Sequence, residues 1–187
     1  MNKSKILKQS ELLKKLKVGN EQEFAKNLAE LDAVLTIEAL PALVSVFHAP
    51  ISDKCKEQLL VYFNDLSAND AQETMVQILI DPDNLSIRQL LLSTIWNSRL
   101  DYSSYLAEFV EIAVEGDYLE ALECLTIIEN LEGPFEESDI LESQLHLKEY
   151  LEIGAKNDQK AVLISEIALL VKNFNEELAD FNVEDLD

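Results

Sequence analysis

The sequence predicts an all-α protein built from successive antiparallel helix pairs, and three observations carry that prediction. A near-repeat of about 31 to 39 residues is marked by the helix ends Gln58–Leu66, Leu92–Leu100 and Glu123–Leu131. A period of this size is the signature of stacked supersecondary units. Only four Gly and four Pro occur, too few for the turns of a β-sandwich, while Leu, Glu, Ala and Lys dominate and are good helix formers. Finally, apolar residues recur at helical spacing along the chain, and no segment sustains the alternation of a half-buried strand.

The elements follow in order. Residues 3–17 read as a short basic amphipathic helix with Ile6, Leu13 and Leu16 on one stripe, stopped by Gly19; a left-handed C-cap there suits glycine. Residues 1–18 are expected to form a cap on the end of the stack. Residues 20–34 carry Phe24, Leu28 and Leu31 at i, i+4 and i+7. Thr36 is expected to cap a helix reaching about His48, with Pro41 in or just past its first turn, where a missing N–H costs little. Ser52 caps 52–66, whose apolar face is Cys55, Leu59, Tyr62, Phe63 and Leu66. Asp70 and its neighbours open 70–80, and Asp81-Pro82-Asp83-Asn84 breaks it.

The next helix starts near Ser86 and ends near Arg99. It has two apolar stripes, Ile87, Leu90, Leu91 and Ile95 on one and Leu92 and Trp96 on the other, as expected for a helix clamped between neighbours. Helix 103–115 buries Tyr105, Leu106, Phe109, Val110, Ala113 and Val114 and turns Glu108, Glu111 and Glu115 outward. Gly116 ends it, and Asp117 with Glu120 forms an Asp-x-x-Glu start for 118–131. Gly133-Pro134 breaks the chain before helices at 138–153 and 158–178, which are separated by Gly154 and Asn157-Asp158. Residues 176–187 carry six acids and no base and read as a frayed tail beyond a repeat domain over 19–175.

The pattern Leu40-Pro41-Ala42-Leu43, followed by an acidic or polar turn and a basic residue early in the second helix, resembles the HEAT-repeat family of armadillo-type folds. Asp53-Lys54 and Ser86-Ile87-Arg88 fit that basic position 34 residues apart, whereas the third unit has Tyr118-Leu119 there and the fourth fits through Asp158 and Lys160. The resemblance covers about residues 20–174. It implies a right-handed α-α superhelix of about four to five helix pairs, and a binding scaffold without naming a ligand.

Charge narrows the partner. The chain carries a formal −21; residues 1–17 hold six Lys against Glu11, so the rest carries −26, and 101–153 holds fifteen acids with Lys148 as its one base. Such a body repels phosphate backbones, so nucleic acid is not the expected partner. A protein or peptide is; the acid suits a basic one or, as surface charge more commonly does, serves solubility alone. Cys55 and Cys124 read as buried thiols of a reducing compartment. The N-terminus has no apolar stretch of a secretory signal, and no run of about 18 apolar residues would span a membrane. A cytoplasmic location is the resulting expectation.

No constellation carries recognisable chemistry. Asp81–Ser86 lacks the Gly of a calcium loop, and Glu142 with His146 is half a metal site at best. No cofactor and no metal are expected. The inner surface of a stack comes from its second helices, here 52–66, 84–99, 117–131 and 158–173. Arg88, Trp96, Glu120 and Glu123 are the candidate partner-binding residues on it, the two glutamates suiting a basic segment; Trp96 also reads as inter-helix packing. A small regulatory or lyase-type enzyme on the same scaffold is the competing reading, and would need convergent polar groups in a concave site.

Overall fold

The computed structural model describes residues 3–18, 20–66, 71–98, 100–153 and 159–184. Through them run α1 (Lys3–Leu16), α2 (Glu21–Asp32), α3 (Leu40–Val44), α4 (Asp53–Asn64), α5 (Ala71–Ile80), α6 (Arg88–Ile95), α7 (Leu106–Glu115), α8 (Tyr118–Glu129), α9 (Glu137–Ile153) and α10 (Ala161–Glu184). Short 3-10 segments at 37–39, 45–48, 82–87 and 103–105 lead into or out of them, and no strand occurs among the described residues. The expected all-α class is therefore observed.

Two rows of helices emerge from the packing. Along one, α2 touches α4, α4 touches α6, α6 touches α8 and α8 touches α10; along the other, α3 touches α5, α5 touches α7 and α7 touches α9. Cross-contacts α1 to α2, α5 to α6, α7 to α8 and α9 to α10 join consecutive helices. A single buried cluster runs from Leu12 to Val171, including Phe24, Leu43, Leu59, Phe63, Leu79, Leu91, Phe109, Ile128 and Ile167. Burial of each such side chain stabilises the fold by about 1.5–3 kcal/mol before entropy is counted.

Side chains cap three helix starts, two of them at the residues the sequence marks, Ser52 and Asp117. Asn20 Oδ1 accepts from Glu23 N–H at 3.0 Å and Ser52 Oγ from Cys55 N–H at 3.4 Å. At α8, Asp117 Oδ1 accepts from Glu120 N–H while Glu120 Oε2 accepts from Asp117 N–H, each at 3.0 Å. This capping box fills two N-terminal donors reciprocally. Gly116 precedes it with φ −70, so its role is not a left-handed turn. A Cβ there would collide with the Glu120 carboxylate and lie 2.7 Å from the Ile112 carbonyl oxygen.

Several expected helices are interrupted or differently bounded. The stretch 36–48 divides into 3-10, α and 3-10 pieces around Pro41, and Thr36 makes no side-chain cap to the first of them. Proline has no N–H for the preceding turn, so a helix starts afresh there. Asp81-Pro82-Asp83-Asn84 breaks α5 as expected, but it forms a 3-10 turn that feeds directly into α6. Asn84 locks that turn by donating from Nδ2 to the Ile78 carbonyl at 3.0 Å, with its Oδ1 3.2 Å from His48 Nε2. Helix α10 continues to Glu184. The predicted breaks at Gly19, at 67–70 and at 154–158 lie outside the described residues, as does Arg99.

Burial corrects three readings. Ile6 is 44% exposed; Leu13 and Leu16 are buried as expected, and Gln9 and Leu12 are buried with them. Helix α7 is buried on more than one stripe, through Leu106, Ala107, Phe109, Val110, Ile112 and Ala113, because α5, α8 and α9 all contact it. Glu108, expected outward, is half-buried. Helix α6 is clamped as its two stripes suggested, with Leu91, Leu92 and Ile95 buried.

Candidate functional site

The four residues singled out from sequence fall on the α6–α8 junction, where they bond mainly to one another. Arg88 Nε donates to Glu120 Oε1 at 2.6 Å and its terminal Nη2 to Oε2 at 2.9 Å, a bidentate pair. The two side chains are only 10% and 9% exposed. Planar guanidinium and carboxylate match in this geometry, and little solvent screens them. Glu120 thus closes the α8 capping box and ties α8 to α6 with one carboxylate. Its hydrogen bond raises the Arg88 pKa further against the opposing effect of burial. The adjoining Cys124 thiol is pushed up by burial first and by the Glu120 charge second, which keeps it protonated and unreactive.

Glu123 and Trp96 lie nearer solvent. Gln89 Nε2 donates to Glu123 Oε1 at 2.8 Å, and the Trp96 indole N–H donates to Glu123 Oε2 at 3.3 Å. Trp96 is 45% exposed, so the packing expected of it from sequence is realised on one side only. The structure therefore brings all four residues to one junction. It places Arg88 and Glu120 inside that junction and leaves Trp96 and Glu123 at its surface.

A concave feature lies two junctions away along the same row, between α2 and α4. It is a groove of about 1020 Å3. Leu28, Leu35, Ile37, Leu40, Val61 and Leu66 supply its apolar lining. On the α2 side the lining includes Ala25 and Ala29, one turn apart, whose small side chains leave room there. Asp32, Glu57 and Asp65 are its exposed acids. The one lysine there, Lys54, is held 3.2 Å from Glu21. Tyr62 projects into the same site; burial raises its phenol pKa most, followed by the charge and hydrogen bond of Asp32. An apolar trough flanked by three carboxylates is suited to hold apolar side chains whose neighbours are cationic.

This groove escaped the sequence reading. Ala25, Ala29 and Asp32 recur at i, i+4 and i+7, a stripe of small and polar residues that on an isolated helix is only a solvated face. The signal becomes a wall only when α4 stands opposite, and sequence order does not place it there.

Other reactive groups are engaged elsewhere. Lys160 is buried, and its Nζ donates to the carbonyls of Ala113 at 3.1 Å, Val114 at 2.6 Å and Gly116 at 2.5 Å. A cation here satisfies the end of α7 and the negative pole of its dipole. Among the described residues no group of three or more His, Cys, Asp or Glu is placed to hold a metal ion. Among them, too, no helix is long and apolar enough to cross a membrane. Fold and site together define an all-helical protein with an acid-rimmed apolar groove. Comparison with protein-family models, with curated proteins and with solved structures finds no match to this chain.

Proposed function

We propose that this protein is a non-catalytic interaction scaffold that binds a short segment of a basic protein partner in the groove between α2 and α4. The observation that carries the reading is the groove itself, with an apolar lining and Asp32, Glu57 and Asp65 exposed around it. Trp96 and Glu123 extend the binding face along the same row of helices. Arg88 and Glu120 serve it indirectly, by holding α6 against α8. The groove lining offers carboxylates, one tyrosine and one lysine paired to Glu21; neither a histidine nor a cysteine is among the residues that form it.

The reading takes the chain as a HEAT-like right-handed solenoid. Its support is the order of contacts, in which each helix of a row meets the next of the same row. Open stacks of this kind present long concave surfaces. A cytoplasmic setting belongs to the same proposal, since Cys55 and Cys124 are both buried free thiols.

Affinity capture from the source cell tests the proposal, with wild type beside Val61→Arg and Glu57→Lys/Asp65→Lys. Val61 is 59% exposed, so its replacement leaves the core intact. A specific partner should be retained by wild type, lost from both variants and released as salt rises. Capture that survives both variants, or that ignores salt, overturns the groove reading. Charge reversal at Glu120 is unsuitable as a control, because it would leave Arg88 buried without its partner.

A further inference from the structure

The first two turns of α1 are basic, carry no acid, and stand clear of the body. Every residue from Lys3 to Lys8 is exposed, and the buried residues of α1 begin at Gln9. This tip carries Lys3, Lys5 and Lys8 with no acid, and between them Ile6, 44% exposed, and Leu7, 73% exposed. Exposed Ile and Leu beside lysines are the complement of an apolar groove bordered by carboxylates.

Position adds to chemistry. Helix α1 ends at Leu16, α2 begins at Glu21 and the two pack together; so short a link makes them antiparallel and sets the tip at the end of α2 where Asp32 stands. Ala25, Leu28, Ala29 and Asp32 of that same helix form one wall of the groove. Tip and groove thus flank one end of one helix. The tip continues a helix that packs on α2 and whose Leu12, Leu13 and Leu16 are buried, so it does not fold back into its own groove. A second copy related by a two-fold axis at this end can receive it, and reciprocally offers its own tip; such an isologous contact closes at two subunits.

We infer that the α2–α4 groove of one copy receives the Lys3–Lys8 tip of a second copy, giving a reciprocal dimer. Ile6 and Leu7 enter the apolar trough, while the lysines face Asp32, Glu57 and Asp65. This inference rests on the groove reading above, and it makes the second copy a competitor of any basic partner at the same site.

The test is sedimentation velocity of the full chain over a wide concentration range, at low and high salt, with Leu7→Asp and Val61→Arg beside wild type. Both positions are exposed, and circular dichroism checks that each variant is folded. Wild type should dimerise at low salt and dissociate as salt rises. Each variant should weaken the dimer by at least about tenfold. Mixing the two should restore a heterodimer weaker than wild type, since one intact tip and one intact groove remain.

A wild type that stays monomeric throughout overturns the self-docking, as does a dimer indifferent to both substitutions. Tip binding to phosphatidylserine vesicles that leaves the chain monomeric does the same and assigns the basic turns to an anionic membrane instead. Failure here is distinguishable from failure of the proposed function. Partner capture lost in Val61→Arg, together with a monomeric wild type, leaves the groove standing and removes only the dimer.

Discussion

At the scale of single residues, the Arg88–Glu120 pair concentrates the most structure in the fewest atoms. Two charge-assisted bonds in a nearly closed site make each charge dependent on the other. Removing one partner leaves a buried charge, so Arg88→Met should cost about 3–5 kcal/mol. The double variant Arg88→Met/Glu120→Leu should recover most of that, because an apolar pair of similar volume removes both desolvation penalties. It should still fall short of wild type by about 1 kcal/mol, the loss of the capping box at Asp117. Urea denaturation of the three proteins checks the set, and an Arg88→Met loss below about 1 kcal/mol would mean that solvent reaches the pair.

At the scale of elements, α7 is held at its end by a residue from far along the chain and along its side by α9. Lys160 Nζ satisfies three carbonyls at the C-terminus of α7. Bonds to a charged donor contribute about 1.5–3 kcal/mol, so Lys160→Met should lose about 2–3 kcal/mol, with amide protection falling first in the last turn of α7. Hydrogen exchange resolved by residue measures this.

Along the side of α7, Glu108 is raised from its ordinary 4.5, by burial first, then by Asp139, Glu142 and Glu111. Asp139 is also raised, chiefly by burial. A carboxyl with a raised folded-state pKa binds more protons when folded. Its contribution to stability is therefore complete below the unfolded value and lost as pH rises through the folded one. Glu108→Gln should accordingly raise the Tm at neutral pH by about 1–3 °C and give almost no gain near pH 4. Equal gains at both pH values would assign the effect to propensity and not to charge.

At the scale of the whole molecule, the governing quantity is the net charge of −21. The exposed pairs Lys15–Glu11, Lys148–Glu152 and Lys172–Glu176 do little against the resulting repulsion, since surface pairs contribute about 0–1 kcal/mol. Self-repulsion should dominate the response to salt. Raising sodium chloride from 0.1 M to 1 M shortens the screening length from about 10 to 3 Å and should lift the Tm of the monomeric Val61→Arg variant by about 2–4 °C. Scanning calorimetry reads this, and a falling Tm would show that attractive pairs outweigh repulsion.

Class, element order and several caps were legible without coordinates, because each depends on residues close in sequence. Phe24, Leu28 and Leu31 make a helical stripe on their own, and Asp117 with Glu120 closes a box within one turn. Pro82 announces an interruption because proline lacks a donor, whereas Pro41, read as harmless in a first turn, divides its stretch. What each residue meets across a junction was not legible. Arg88 and Glu120 are 32 positions apart, and only the packing of α6 on α8 turns two candidate ligand contacts into a structural bond. Lys160 reaches α7 across 47 positions. Ala25 and Ala29 become the wall of a groove only because α4 stands opposite them. Local hydrogen bonding and helical periodicity are written in the sequence by itself; concavity and charge pairing are properties of two elements at once, and tertiary structure alone decides them.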